Sequence, residues 1–381
     1  MIQINEVSTC DAANEGVGHE ILPAFFENSI PVCFSTDQNY VPYFAVALQS
    51  LIENSSDENN YDIFILEDGI SSDAKRFLKE QAAKKENISV RFINVEKYLT
   101  DDKKSKMVVS GWFTIATYYR MILPEILVNY DKILYLDCDL VVLDDVAKLF
   151  KSDINDVLLA AAYDIGVARL LFKNEARGAR LKSYIEEQLG VPNAYDYFQA
   201  GVLLMNLKKM REVNLSDKCF EFLALNPNIY WVDQCVLNAV CVGRVKYLPI
   251  EWNMTWHVVF EADDLEKELP PATYDEYCKA HNASRILHYS GGIKPWFDPK
   301  IELSSFFWKY ARNVAFYEQI IFERQKYLLI LIHNLSKYKL QHYIYIVLYN
   351  TALNRTQRKK YARKINLFRD KILEAKEFLN A

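Results

Sequence analysis

Glycine and proline are scarce, with 11 of each in 381 residues, which excludes collagenous and Pro/Gly-rich low-complexity architectures. Cysteine is sparse as well: seven, an odd number, at positions 10, 33, 138, 219, 235, 241 and 278, with no CxxC pair. Neither a disulfide framework nor a thiolate metal site is implied, and a reducing cytoplasm fits best. The first thirty residues lack the basic start and apolar run of a signal peptide. Purely apolar stretches such as Tyr327 to Ile332 are far below the ~20 residues that span a bilayer. Secretion and membrane insertion are therefore not expected. Common catalytic signatures are missing too. Gly16-Val-Gly18 has no third glycine at dinucleotide-site spacing, and there is no GxxxxGK(S/T), HExxH or GxSxG.

What is present is a globular composition, 51% hydrophobic and 25% charged, long enough to bury a large core. Residues 1–30 lack periodicity and read as an irregular arm. From Pro31, apolar runs at Val32 to Ser35, Asp62 to Leu66, Ile88 to Val95 and Lys132 to Leu136 alternate with helical spacing at Val41 to Glu53, from Ser71 or Ser72 to Lys85, and at Trp112 to Met121. Further runs follow at Val157 to Ala162, Val202 to Met205, Val245 to Leu248 and Arg285 to Leu287. Such alternation predicts an α/β fold, an open, mostly parallel sheet flanked by helices.

Charge is unevenly distributed. Residues 309–381 hold 15 Lys or Arg and 5 Asp or Glu, a local +10 within a chain of net charge −5. The chain therefore divides near residue 305 into a domain over 31–305 and a basic extension over 306–381, predicted to form two or three amphipathic helices. That extension either packs on the domain or adsorbs to an anionic membrane surface. Nucleic acid is not expected, because no RNP, helix-turn-helix or zinc motif accompanies the charge.

In open α/β sheets, ligands bind outside the carboxyl ends of the strands, where the run Lys132 to Leu136 ends in Asp137-Cys138-Asp139. Two carboxylates one residue apart are hard oxygen donors suited to Mg²⁺ or Mn²⁺, with diphosphate oxygens completing the shell. Downstream, His288 ends another apolar run and is followed by Gly291-Gly and Lys294. An imidazole can ligate Mn²⁺, the turn offers backbone N–H groups, and the ammonium suits a diphosphate.

Six segments in order, Phe34-Ser-Thr-Asp-Gln-Asn39-Tyr, Ala116-Thr-Tyr-Tyr-Arg120-Met-Ile-Leu-Pro-Glu, Tyr135-Leu-Asp137-Cys-Asp139, Phe198-Gln-Ala-Gly201-Val-Leu-Leu-Met-Asn206, Trp231-Val-Asp233-Gln234 and His288-Tyr-Ser-Gly-Gly-Ile-Lys294-Pro-Trp, resemble glycosyltransferase family 8. The resemblance covers roughly residues 31 to 297. It implies a GT-A, Rossmann-like fold, a UDP-hexose donor, Mn²⁺ with Mg²⁺ as the alternative, and transfer to a glycan or lipid-linked glycan with retention of configuration. Lipopolysaccharide or other cell-surface polysaccharide synthesis in the cytoplasm, or peripherally on the inner face of the membrane, follows as the expected setting. A UDP-sugar hydrolase, or a catalytically silent nucleotide-sugar-binding protein, is the alternative.

By position, the resemblance assigns Asp137, Asp139 and His288 to the metal, with Cys138 between the two acids in the donor site. Ser35, Asp37 and Asn39 fall to the uridine and ribose, and Arg120, Gly291 and Lys294 to the diphosphate. Asp164, Gln199, Asp233 and Gln234 surround the donor sugar, with Gln234 near the anomeric carbon; Asp233, Gln234 and Lys294 are the catalytic candidates. Two departures stand out: Gln199 occupies a position where many members have Asn, and Cys235 one where an acid is frequent. The stretch Trp252 to His281, rich in aromatics and acids, is a candidate acceptor wall.

Overall fold

The computed structural model describes residues 20–109, 114–173, 175–255, 262–351 and 355–380. Most of the N-terminal arm, the start of the helix expected from Trp112, and residues 256–261 of the acceptor wall lie outside the described residues.

Among the described residues, ten strands form two sheets: β1 (Ser29–Thr36), β2 (Asn60–Glu67), β3 (Ile88–Asn94), β4 (Ile133–Leu136), β5 (Leu140–Val142), β6 (Leu159–Ala161), β7 (Val202–Met205), β8 (Val245–Tyr247), β9 (Met254–Thr255) and β10 (Ile286–His288). Seven build the main sheet in the order β3-β2-β1-β4-β7-β6-β8. It is parallel except for β7, which runs antiparallel to both neighbours, β4 and β6. β1 and β2 are buried along almost their entire length, as continuous apolar runs covered on both faces should be. The helix Ser72–Ala82 begins as the sequence suggests, with Ser71 Oγ accepting from Ala74 N, but ends three residues short of Lys85.

The chain runs outward from β1 through β2 to β3, then returns to the other side of β1 with β4. That reversal opens a crevice at the carboxyl ends of β1 and β4. Immediately after β4 the chain leaves the main sheet. β5 joins a small second sheet of order β5-β10-β9, a feature the single expected sheet does not include. Asp137 to Asp139 thus lie at the seam between the sheets. Antiparallel pairing of β5 with β10 sets His288 opposite Leu140, one residue from Asp139.

The segment expected as an α-helix to Met121 is instead a 3₁₀ helix over Ile115–Ile122. Three residues per turn align positions i and i+3, so Thr117 and Arg120 leave the same side.

Residues just beyond 305 pack on the main core. Helix Ser304–Ala311 buries Phe307, Tyr310 and Ala311 in the main core, and Ile320 is buried with them. Asn54 Nδ2 donates to the Tyr310 hydroxyl at 2.9 Å, and Trp308 Nε1 to Pro295 O at 3.0 Å.

Beyond them, Tyr317–Thr351 and Arg355–Asn380 form an antiparallel pair. Tyr345 stacks on Phe368, and His342 Nδ1 donates to Ile365 O at 3.0 Å. The second helix is amphipathic as expected, whereas apolar residues of the first are spread around it without a single stripe. Leu329, Leu340 and Tyr343 are each more than 60% exposed. Among the described residues, no helix is long and apolar enough to cross a membrane.

Candidate active site

A cavity of about 460 Å³ opens at the crevice. At its floor, His288 Nε2 lies 3.0 Å from Asp139 Oδ1 and 3.7 Å from Asp137 Oδ2. One donor atom from each of these three residues falls within 4.8 Å of the others. Two carboxylate oxygens and one imidazole nitrogen converging at this spacing fit a divalent ion of the Mn²⁺ type. Lys294 Nζ contacts Asp139 Oδ2 at 2.6 Å and donates to Tyr289 O at 2.6 Å. Burial raises the Asp139 pKa, but Lys294 and His288 outweigh it and hold the carboxyl well below the usual range.

Behind Asp137 lies Arg120, only 3% exposed. Its Nη2 pairs with Asp137 Oδ1 at 2.7 Å, its Nε lies 3.0 Å from Asp233 Oδ2 and donates to Thr117 O, and its Nη1 donates to Ala200 O. The guanidinium stacks on Tyr135, 4.1 Å from the ring centroid. Burial lowers the Arg120 pKa, yet Asp137 and Asp233 more than restore it. Expected as a diphosphate contact, Arg120 lines the cavity but spends its donors on protein groups, linking the metal-side acid to Asp233. Thr117 Oγ1 donates to Asp233 Oδ1. Burial pushes the Asp233 carboxyl up to about 6, against Arg120 and Thr117, which pull it down.

The residues expected around the donor sugar form a connected set. Gln234 accepts from Ala200 N at 3.0 Å through Oε1 and donates through Nε2 to Asp164 Oδ2 at 2.8 Å. Asp164 also accepts from Val167 N, capping the helix Ile165–Lys173. Gln199 lines the cavity, but its Oε1 is engaged by Gly201 N at 2.6 Å and Asn253 Nδ2 at 2.7 Å. Ser35, Asp37 and Gly291 line the cavity, whereas Asn39 is exposed outside its lining. Asp37 Oδ1 accepts from the N–H groups of Asn39 and Tyr40, fixing the loop after β1. Cys138 is buried, and its thiol donates to Ser35 O at 3.1 Å, tying the ends of β4 and β1 together.

Cys235 is fully buried and does not line the cavity. Its sulfur lies 3.4 Å from the Tyr184 hydroxyl and 3.2 Å from that of Tyr197, and burial pushes the thiol up. A buried neutral thiol is no nucleophile. Turnover of Cys235→Ala should stay near that of the wild type, and iodoacetamide should leave Cys235 unmodified in the folded protein by peptide mass analysis. Loss of turnover together with alkylation would return Cys235 to the reaction.

Three contributors escaped the sequence reading. Thr117 and Asn253 carry no motif of their own. Asn253 falls inside the stretch assigned to the acceptor wall, yet it is 1% exposed and faces His288, with its Oδ1 2.9 Å from Nδ1. Gly201 was part of a motif but given no role. A Cβ there would sit 2.2 Å from His288 Cε1 and 2.7 Å from Asp137 Oδ2, so only glycine lets the two ligands converge.

A parallel-sheet crevice with an Asp-x-Asp turn at a sheet seam, an imidazole and a lysine defines a GT-A glycosyltransferase. Glycosyl transferase family 8 matches residues 31–300, and the chain belongs to that family. It is 26% identical over 265 residues to General stress protein A of Bacillus subtilis, covering 68% of this chain and 85% of that one. To a lipopolysaccharide 1,2-glucosyltransferase of Escherichia coli K12 it is 28% identical over 268 residues, 70% and 72% of the two chains. Among solved structures, the galactosyltransferase LgtC with donor and acceptor sugar analogs superposes with a TM-score of 0.61 at 25% identity, covering 75% of this chain and 96% of that one. The bifunctional glycosyltransferase WbbM gives 0.69 at 28% identity, covering 80% of this chain and 53% of that one.

Proposed function

We propose that the protein transfers galactose or glucose from UDP to a hydroxyl of a glycan acceptor with retention of configuration, in lipopolysaccharide or related surface-polysaccharide synthesis. The carrying observation is the meeting of Asp137, Asp139, His288 and Lys294 with Asp164, Asp233 and Gln234 in one cavity. Relatives that are lipopolysaccharide glucosyl- and galactosyltransferases support the substrate class.

Asp137, Asp139 and His288 would hold Mn²⁺, which as a Lewis acid supplies charge stabilisation to the departing diphosphate. Lys294 adds a second cation at the same side of the cavity. Asp233 Oδ2 is buried against Arg120 Nε at 3.0 Å, which holds the carboxylate in place at this side of the cavity. Asp164 orients Gln234 beside the reacting carbon. Gln234 is a neutral amide, Cys235 is buried, and Asp233 is bound by Arg120 and Thr117, so none of these three offers a ready nucleophile. Same-face attack follows, with the acceptor hydroxyl giving its proton to the leaving phosphate oxygen. Incubation with UDP-galactose, UDP-glucose and UDP-N-acetyl sugars plus Mn²⁺, with mass analysis of products, tests this reading. Release of free sugar regardless of acceptor would mark a hydrolase instead.

The basic helical pair is proposed to rest on an anionic membrane carrying a lipid-linked acceptor. Its support is the cluster Arg358, Lys359, Lys360, Arg363 and Lys364 beside exposed Leu and Tyr side chains. Each base near such a surface contributes about 1 kcal/mol. Full-length protein should co-sediment with phosphatidylglycerol vesicles at low salt, and Glu at Arg358, Lys359 and Lys360 should abolish this. Vesicle binding that ignores both salt and these charges would refute it.

A further inference from the structure

The polar groups behind His288 form a chain whose hydrogen-bond directions can be fixed from one end. Gly201 N is a backbone amide and can only donate, so the side-chain atom of Gln199 that it meets at 2.6 Å must be the carbonyl oxygen. An amide oxygen can only accept, so the Asn253 atom 2.7 Å from it must be the NH₂ group. The other end of the Asn253 amide, its oxygen, therefore faces His288 Nδ1 at 2.9 Å. An oxygen there requires Nδ1 to carry hydrogen. The lone pair of neutral His288 is then on Nε2, the nitrogen that faces Asp139 and Asp137. Four groups, all 9% exposed or less apart from the backbone of Gly201, leave no alternative orientation.

The fold explains why the chain exists. Asn253 ends the 3₁₀ turn Ile250–Asn253 that feeds β9, and β9 pairs in parallel with β10, placing Thr255 beside His288. The Gln199 side chain is one methylene longer than that of an Asn. In this chain that length lets its oxygen serve both Gly201 N and Asn253 at once.

We propose that Gln199 and Asn253 form an amide relay that positions His288 as a metal ligand, fixing both its ring plane and its tautomer. The relay rests on the assignment of the metal site above and adds two positioning residues to it. Neither touches the ion; Asn253 acts through the imidazole and Gln199 acts through Asn253. Partners of this kind behind a ligating histidine set metal affinity, and their removal typically weakens it about 10- to 100-fold.

Two measurements on the full chain keep this inference separable from the metal reading. Titration with Mn²⁺, following the free ion by electron paramagnetic resonance, should show the dissociation constant rising about 10- to 100-fold in Asn253→Ala. Asn253→Asp, whose carboxylate still accepts from Nδ1–H but cannot donate to Gln199 Oε1, should recover part of the affinity, and Gln199→Asn should lose part of the wild-type value. Long-range ¹H–¹⁵N spectra of histidine-labelled, metal-free protein at alkaline pH should show the Nδ1–H tautomer of His288 in the wild type, and a mixture in Asn253→Ala. Wild-type affinity in Asn253→Ala, or an Nε2–H tautomer in the wild type, would overturn the relay. Wild-type protein that shows the Nδ1–H tautomer but binds no Mn²⁺ would uphold the orientation and overturn its purpose.

Discussion

Lys294→Ala is expected to lower kcat by about 2 to 4 kcal/mol in barrier terms, with a much smaller effect on donor affinity. The ammonium is held by Asp139 Oδ2 and Tyr289 O, each at 2.6 Å, so it is preorganised and needs no rearrangement before charge develops on the diphosphate. Its charge is worth most when UDP leaves, and an interaction made mainly in the transition state changes kcat more than KM. Steady-state kinetics with saturating donor decide the matter. An unchanged kcat would reduce Lys294 to a structural counter-ion of Asp139.

A second large effect is expected from Arg120→Ala, and it concerns stability. The guanidinium is the cation between Asp137 and Asp233, and its side chain and that of Asp233 are 5% exposed or less. Removing one partner of a buried ion pair leaves an uncompensated charge and costs about 3 to 5 kcal/mol. The pH dependence follows from Asp233, whose carboxyl is raised from its ordinary 3.8 to about 6. A carboxyl raised on folding favours the folded state fully below the unfolded value. That contribution is lost as pH climbs through about 6. Without Arg120 the carboxyl rises further, so the variant's deficit should be larger at pH 8 than at pH 5, where Asp233 can take a proton. Urea unfolding at the two pH values checks this; an equal deficit at both would remove Asp233 from the account.

The parts of the site legible in the sequence share a physical character. Asp137, Asp139 and His288 each end a run of apolar residues, and a polar group at the end of a buried strand is conspicuous against its neighbours. Lys294 follows a glycine turn and is conspicuous for the same reason. Asn253 gives no such contrast, since it sits among aromatics and acids, and its role comes only from β9 pairing with β10. Strands of two or three residues such as β5, β9 and β10 are too short to show a period, so the second sheet could not be read. The antiparallel direction of β7 is equally silent, because a strand buried on both faces is apolar whichever way it runs. The resemblance assigns Arg120 to the diphosphate; its burial depends on acids 17 and 113 residues further along the chain, which no local pattern reveals.

The seam between the two sheets carries one more implication. Asp137 follows the end of β4 in the seven-stranded sheet, while Asp139 immediately precedes β5 and His288 ends β10, the central strand of the three-stranded one, and Asp137 and His288 are 151 positions apart. An ion gripped by all three is a clasp fastening separate layers of the molecule. Because the unfolded chain offers no such grip, a divalent ion bound there at a hundred times its dissociation constant would add about 2.7 kcal/mol to the folded state. Chelation should therefore register as earlier melting of the whole catalytic core and faster amide exchange along β5, β9 and β10, before any sugar is offered.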